Sequence, residues 1–281
     1  MNDTQENQSS NKNQIETYLG EISKLNNELI NMQRELSASN AALAKALEFK
    51  NRFIGMVVHD LRNPLTIISM YTQTIKSKID EPKLIEECIT IIEHSADFMA
   101  ELIESLLDTT SLESGSFSIT FYKNNITELI KNTLKQMQPI AQNRSIHIHE
   151  QLSEIEPFYF DAFRIEQVIT NIISNALKYT PTDGNVYISV KDNSETVVIV
   201  VKDTGIGIPE EEQHKTFTFF GRTTNQSPHG DKSVGLGLAV CKHIIEAHDG
   251  TIELTSKASE GTTITILLPK LPRRAMDLAD K

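Results

Sequence analysis

Apolar residues recur seven positions apart at Ile15, Ile22, Leu29, Leu36 and Leu43, with Tyr18, Leu25, Met32, Ser39 and Ala46 at the second core position. A seam sustained over about five heptads predicts a coiled-coil helix across residues 15–52, and Ile/Leu at a with Leu/Met at d suits a parallel dimer. One amphipathic helix packed on its own chain is the alternative. Residues 1–14 are mostly Asn, Gln, Ser and Thr with no apolar residue after Met1, which predicts a disordered tail. The helical period continues through Phe53, Val57, Leu61, Leu65, Ile68, Ile75 and Ile79 and stops at Asp80-Glu81-Pro82, a turn signal. A second helix carries Leu84, Cys88, Ile91, Ser95, Phe98, Leu102 and Leu106 and ends near Ser114-Gly115. Residues 53–114 therefore predict a helical hairpin, and two such hairpins would make a dimeric four-helix bundle.

After Gly115 the period shortens to two in Ser145–His149, Val186–Val190, Val197–Val201 and Thr263–Leu267, which predict strands. Helical patterns at about 126–141, 161–178 and 235–248 lie between them, so residues 115–270 predict an α+β sandwich with helices on one face of a sheet. Residues 271–281 predict a tail.

Composition narrows the choice of partners. Lys+Arg 27 against Asp+Glu 38 gives a net charge of −11, the wrong sign for nucleic-acid binding or for attraction to an anionic membrane. Cys88 and Cys241 both sit in apolar helical patterns and predict small buried hydrophobes in a reducing compartment rather than a disulfide. The longest apolar run, Val197–Val201, is far short of the roughly 20 residues a membrane helix needs, and the polar N-terminus has no signal-peptide core. The expectation is a soluble cytoplasmic chain with no membrane insertion.

Candidate chemistry begins at His59, in Phe53-Ile-Gly-Met-Val-Val-His59-Asp60-Leu61-Arg62-Asn63-Pro64-Leu65. At about 100° per residue, His59 stands off the apolar stripe and shares its solvent-facing side with Arg62, Asn63 and Thr66. Pro64 has no N–H to offer the Asp60 carbonyl, so the helix should loosen or bend there. A lone exposed histidine beside an aspartate is ordinarily a solvated pair, and its meaning depends on the C-terminal half. There Asn171, Asn175 and Lys178 stand at i, i+4 and i+7 on one helix face, where amide oxygens can hold Mg2+ and an ammonium can meet phosphate. Mid-helix asparagines that merely bond their neighbours are the alternative. Asp203 ends an apolar strand ahead of Gly205 and Gly207, so that a carboxylate can accept a base amino group while the glycines admit a flat ligand; taken alone it could equally be a turn. Gly235 and Gly237 open a helix whose first N–H groups can bind phosphate. Neither glycine pair fits a P-loop or a Rossmann context.

Together these motifs resemble the sensor histidine kinases of two-component systems, over residues 50–270. His59–Leu65 resembles the family's H box, Asn171–Tyr179 its N box, Asp203–Pro209 its G1 box, Phe217–Arg222 its F box and Gly235–Leu238 its G2 box. The resemblance implies a homodimeric helical domain for phosphotransfer followed by an ATP-binding sandwich of the Bergerat type. It implies that Asp203 bonds adenine, that Tyr179 packs near it, that Asn171 and Asn175 serve Mg2+ and the phosphates of ATP, and that Lys178 and Arg222 touch phosphate. Residues 210–234 would be a mobile lid. It further implies that His59 is phosphorylated with Asp60 orienting its ring, that the phosphoryl group passes to an aspartate of a separate response-regulator receiver domain, and that Asn63 supports dephosphorylation of that regulator.

Two positions depart from the family pattern: Thr218 stands after Phe217 where glutamate is usual, and Ser233-Val234 precede Gly235 where a further glycine is usual. Lid closure is where these departures would act. A phosphatase-biased or catalytically weak dimeric scaffold that binds the regulator, and an ATPase of the same fold without phosphohistidine, are the competing readings. No sensory domain is recognisable, so the expected input is an upstream sensor protein or a signal read through the coiled coil.

Overall fold

The computed structural model describes residues 2–78, 81–113, 117–218, 221, 223–224, 227–229 and 235–273. Helix α1 (Asn2–Ser77) contains Pro64 and runs without a break through the predicted coiled coil into the hairpin. Helix α2 spans Pro82–Glu113, with proline at its first position, where a missing N–H costs nothing. The break between the two helices falls where the Asp80-Glu81-Pro82 signal predicts it; residues 79 and 80 lie outside the described residues. Cys88, Ser95 and Leu102, seven apart, are all buried, and Ser95 satisfies its hydroxyl by donating to the Ile91 carbonyl at 2.8 Å.

One expectation is corrected. Residues 1–14, expected to be a disordered tail, belong to α1 from Asn2 onward. Helix hydrogen bonds are local, extending a formed helix adds one bond per residue fixed, and Glu and Gln are adequate helix formers, so a polar stretch can follow its neighbour without burying anything. By packing, the chain divides into two compact units at Ser95/Ala96, inside α2.

The second unit, Ala96–Lys281, holds the end of α2 and a two-layer α+β domain. Its elements follow in the order β1 (Tyr122–Asn124), α3 (Ile126–Asn143), β2 (His147–Leu152), β3 (Phe158–Phe160), α4 (Ala162–Tyr179), β4 (Asn185–Asn193), β5 (Thr196–Asp203), α5 (Glu210–Gln213), α6 (Gly237–Ala247), β6 (Thr251–Lys257) and β7 (Gly261–Pro269). The main sheet has the order β2-β4-β5-β7-β6, with β2/β4 parallel and the other pairs antiparallel. A short β1–β3 ribbon stands apart from it. One face of the sheet, through Val186, Ile188, Ile199, Val201, Ile264 and Ile266, packs on the apolar stripes of α3, α4 and α6. This is the sandwich the alternating runs predict, with helices on one face.

Strands β1 and β3 are too short to show a period, and β6, half-buried at the sheet edge, has Ser256 where an apolar residue would have completed its alternation. Asn125 and Asp161 cap α3 and α4 by accepting the N–H groups of Glu128 (3.1 Å) and Arg164 (3.2 Å). Both cysteines are free and buried, and burial pushes the Cys241 thiol up to about 12, so it stays protonated and inert.

Candidate functional site

In the first unit, His59 lies on the exposed side of α1 with its side chain 70 % accessible. Its Nδ1 is 3.1 Å from Oδ1 of Asp60, whose side chain is only 14 % accessible. Because a carboxylate can only accept, Nδ1 is the donor in this contact, and Nε2 is the nitrogen not engaged with Asp60. Asn63, one turn on, is exposed too, while Pro64 is buried and faces inward. Pro64 has no N–H to donate, yet the helix continues through it.

The second unit assembles the other candidates around α4, α6 and the loop after β5. Asn175 Nδ2 donates to Asn171 Oδ1 at 3.0 Å, so the two amides act as a pair. A Cβ on Gly237 would clash with Asn171 Nδ2; only glycine lets the start of α6 lie against that amide. Among the described residues no side chain caps α6 at Leu236, and helix-start N–H groups of this kind can take an anion. Lys178, a turn further along α4, has Nζ 5.9 Å from the centre of the Tyr179 ring.

Asp203 is buried, 7 % exposed, at the end of β5. Its Oδ1 accepts the N–H groups of Gly205 (2.8 Å) and Thr262 (3.1 Å), which leaves Oδ2 as the oxygen suited to an exocyclic amine. Burial raises its carboxyl above the ordinary value, and the two N–H bonds pull it back down. The Gly205–Gly207 loop is held by Ile206 N–H donating to the Tyr179 carbonyl at 3.1 Å, and a Cβ on Gly205 would lie 2.5 Å from that same oxygen. Gly207 has φ +64° and would strike the Lys257 carbonyl if it carried a Cβ.

Asn171, Asn175, Tyr179, Asp203, Gly205 and Gly237 thus form one contiguous set. His59, Asp60 and Asn63 form another, on α1. Arg222, Ser233 and Val234 lie outside the described residues; Gly235 is described, with φ +77°. Amide oxygens, helix N–H groups and a buried carboxylate are the donor and acceptor types that would fit a nucleotide with a hard cation.

Several participants carry no signature of their own in the sequence. Ser256 accepts Ile208 N–H at 2.8 Å and donates to the Gly261 carbonyl at 2.8 Å, so it pins the loop after Asp203 to the β6–β7 hairpin. In the expected lid, Glu212 accepts both the N–H and the hydroxyl of Thr224. Ser227 donates to the Lys178 carbonyl at 2.9 Å, and His229 Nε2 donates to the Thr180 carbonyl at 2.8 Å. Only the Gly261-Thr262 pair opening β7 offered a cue, since a glycine at the mouth of a strand marks close backbone approach.

Two protein families match. The His Kinase A (phospho-acceptor) domain covers residues 49–115, and the Histidine kinase-, DNA gyrase B-, and HSP90-like ATPase covers residues 160–272. The chain is 30 % identical over 260 residues to the adaptive-response sensory kinase SasA of Gloeothece citriformis, covering 90 % of this chain and 65 % of that protein. It is 30 % identical over 224 residues to the sensor protein SrrB of Staphylococcus aureus, covering 79 % of this chain and 38 % of that one. The chain therefore spans from about two fifths to just under two thirds of the length of these relatives. Among solved structures, the Acinetobacter baumannii histidine kinase AdeS aligns with TM-score 0.59 and 25 % identity, over 75 % of this chain and 98 % of that one. The histidine kinase ThkA, solved in complex with the response regulator protein TrrA, aligns with TM-score 0.59 and 25 % identity, over 82 % of this chain and 64 % of that one.

Proposed function

The chain belongs to the histidine kinase family, with a phospho-acceptor domain ahead of an ATPase domain, and from that premise we propose that it phosphorylates its own His59 from ATP. The observation that supports this reading is the exposed His59 side chain with Nδ1 held against Asp60 Oδ1, which leaves Nε2 as the nitrogen that would attack. As Nε2 forms its bond to the γ-phosphorus, the bond between that phosphorus and the bridging oxygen of ADP breaks. Asp60 stabilises the positive charge that builds on the ring. Asp203 would read the adenine amine, Tyr179 would pack beside the base, and Asn171, Asn175, Lys178, Arg222 and the Gly235–Gly237 start of α6 would hold the phosphates. Mg2+ bound at the two asparagines would supply charge neutralisation on the phosphates.

An aspartate of a separate response regulator would then attack the phosphoryl group, breaking its bond to Nε2 and regenerating the neutral imidazole. Docking of the relative ThkA with its regulator supports such a partner. The phospho-acceptor domain and the heptad seam support a homodimer, with input arriving along α1 from an upstream sensor or the coiled coil itself. Asn63, on the face of His59, would position water on the phosphorylated regulator.

Incubation with γ-labelled ATP and Mg2+ tests the reading: acid-labile, base-stable label is expected on the wild type and none on His59→Ala. Absence of label from a wild type that still binds ATP would instead favour a phosphatase-biased protein, for which the Thr218 departure is the specific pointer. In the same assay Asn63→Ala is expected to keep autophosphorylation and lose regulator dephosphorylation; normal dephosphorylation would remove Asn63 from that role.

A further inference from the structure

A buried charge cluster in the second unit has no part in the chemistry above. Asp108, on the last turns of α2, is 6 % exposed. Its Oδ1 accepts Nη1 of Arg164 at 2.7 Å and its Oδ2 accepts Nε2 of Gln167. Arg164 Nη1 also donates to Gln167 Oε1 at 3.1 Å, which closes a three-residue ring. The guanidinium stacks 4.6 Å from the centre of the Phe117 ring, on the segment joining α2 to β1. The joining segment is held a second time where Thr120 N–H donates to Asp161 Oδ2 at 2.9 Å.

The bonds continue inward from there. Asp161 N–H donates to Nε2 of the buried His248 at 3.1 Å, and His248 Nδ1–H donates to the Ile244 carbonyl of α6 at 2.7 Å. The end of α2 is thereby tied through the first two turns of α4 to both helices that carry the candidate phosphate groups.

Apolar side chains would bury this contact without desolvating two charges, so the ion pair is not what a stability argument would select. What a planar fork gripping a carboxylate contributes is direction: it fixes how the last turns of α2 are held on α4. We propose that Arg164, gripped by Asp108 and Gln167, is a positioning residue for phosphoryl transfer, fixing the path from the ATPase domain into α2 without touching the nucleotide. This rests on the kinase reading above.

The test uses the full chain and three readouts: dissociation of a fluorescent ATP analogue, the autophosphorylation rate at saturating ATP, and amide exchange across residues 102–111. Arg164→Ala and Asp108→Ala are expected to slow autophosphorylation by about tenfold to a hundredfold. Nucleotide affinity should stay within about twofold, and the last turns of α2 should exchange faster. Arg164→Lys, which keeps the charge and loses the fork, should fall between them and the wild type, and it serves as the folded control. Variants labelled as fast as a labelled wild type would overturn the positioning role alone, as would a rate loss matched by an equal loss of nucleotide affinity. A wild type that takes up no label would overturn the kinase reading, and the positioning role with it.

Discussion

On the kinase reading proposed above, Asp203 is the side chain that would read the base. Two main-chain N–H groups hold Oδ1 at 2.8 and 3.1 Å, so the carboxylate cannot rotate and Oδ2 is aimed before any ligand arrives. Asp203→Asn keeps the shape but replaces an acceptor-only group with one that also presents N–H donors to the base amine. Loss of a charged hydrogen bond predicts an affinity for a fluorescent ATP analogue lower by about tenfold to a hundredfold, measurable by titration.

His248 makes a prediction of a different kind. Burial lowers its pKa, opposed by the Ile244 carbonyl and the charges of Asp161 and Asp249, and its Nε2 must stay unprotonated to accept Asp161 N–H. The unfolded chain takes up this proton near pH 6.5 while the folded one resists, so stability is full above about 6.5 and falls as pH drops below it. The raised pKa of Asp203 has the opposite sign: its contribution is present below the ordinary carboxylate value and is lost as pH rises above it, in a lower window. Thermal unfolding followed from about pH 7.5 to about pH 5.5 should therefore show a steeper fall for the wild type than for His248→Gln.

At the scale of the element, α1 is the unusual one. Its 76 residues span about 110 Å at roughly 1.5 Å per residue, far beyond what a single chain can cover. Leu25, Leu29, Met32, Leu36 and Leu43 are between 54 and 62 % exposed, all on the heptad seam. A leucine left in water forfeits about 1.5–3 kcal/mol that a partner helix would recover. Leu36→Lys is accordingly expected to weaken self-association of the full chain by at least about tenfold in sedimentation velocity. An unchanged association constant would mean that this stretch meets no partner helix.

At the scale of the molecule, α1 carries both the seam and His59, so a twist applied to the coiled coil reaches the histidine through unbroken backbone. Inserting one residue after Ser39 turns everything beyond it by about 100°, whereas inserting seven leaves the seam in phase. The one-residue insertion is expected to shift the ratio of autophosphorylation to regulator dephosphorylation by about fivefold or more, with the seven-residue insertion close to wild type. Equal effects from both insertions would exclude rotation as the signal.

Periodicity alone was enough to place the long helix, the hairpin turn at Pro82 and the helices and central strands of the sandwich, because period and turn chemistry are local properties. The boxes around His59, Asn171, Asp203 and Gly237 could be proposed from the sequence for a related reason: each depends on residue types at short, fixed spacings. Local composition misled at residues 1–14, where a helix already formed next door outweighs the absence of apolar side chains. Everything that joins distant segments was decided only by the tertiary structure. The Thr262 N–H reaches Asp203 across 59 positions, Ser256 pins the loop after β5, Asp108 meets Arg164 across 56, and His248 bridges 87 to Asp161. Such bonds need only one donor and one acceptor brought together by packing, and polar residues of that kind are common everywhere in a chain, so no spacing in the sequence singles them out.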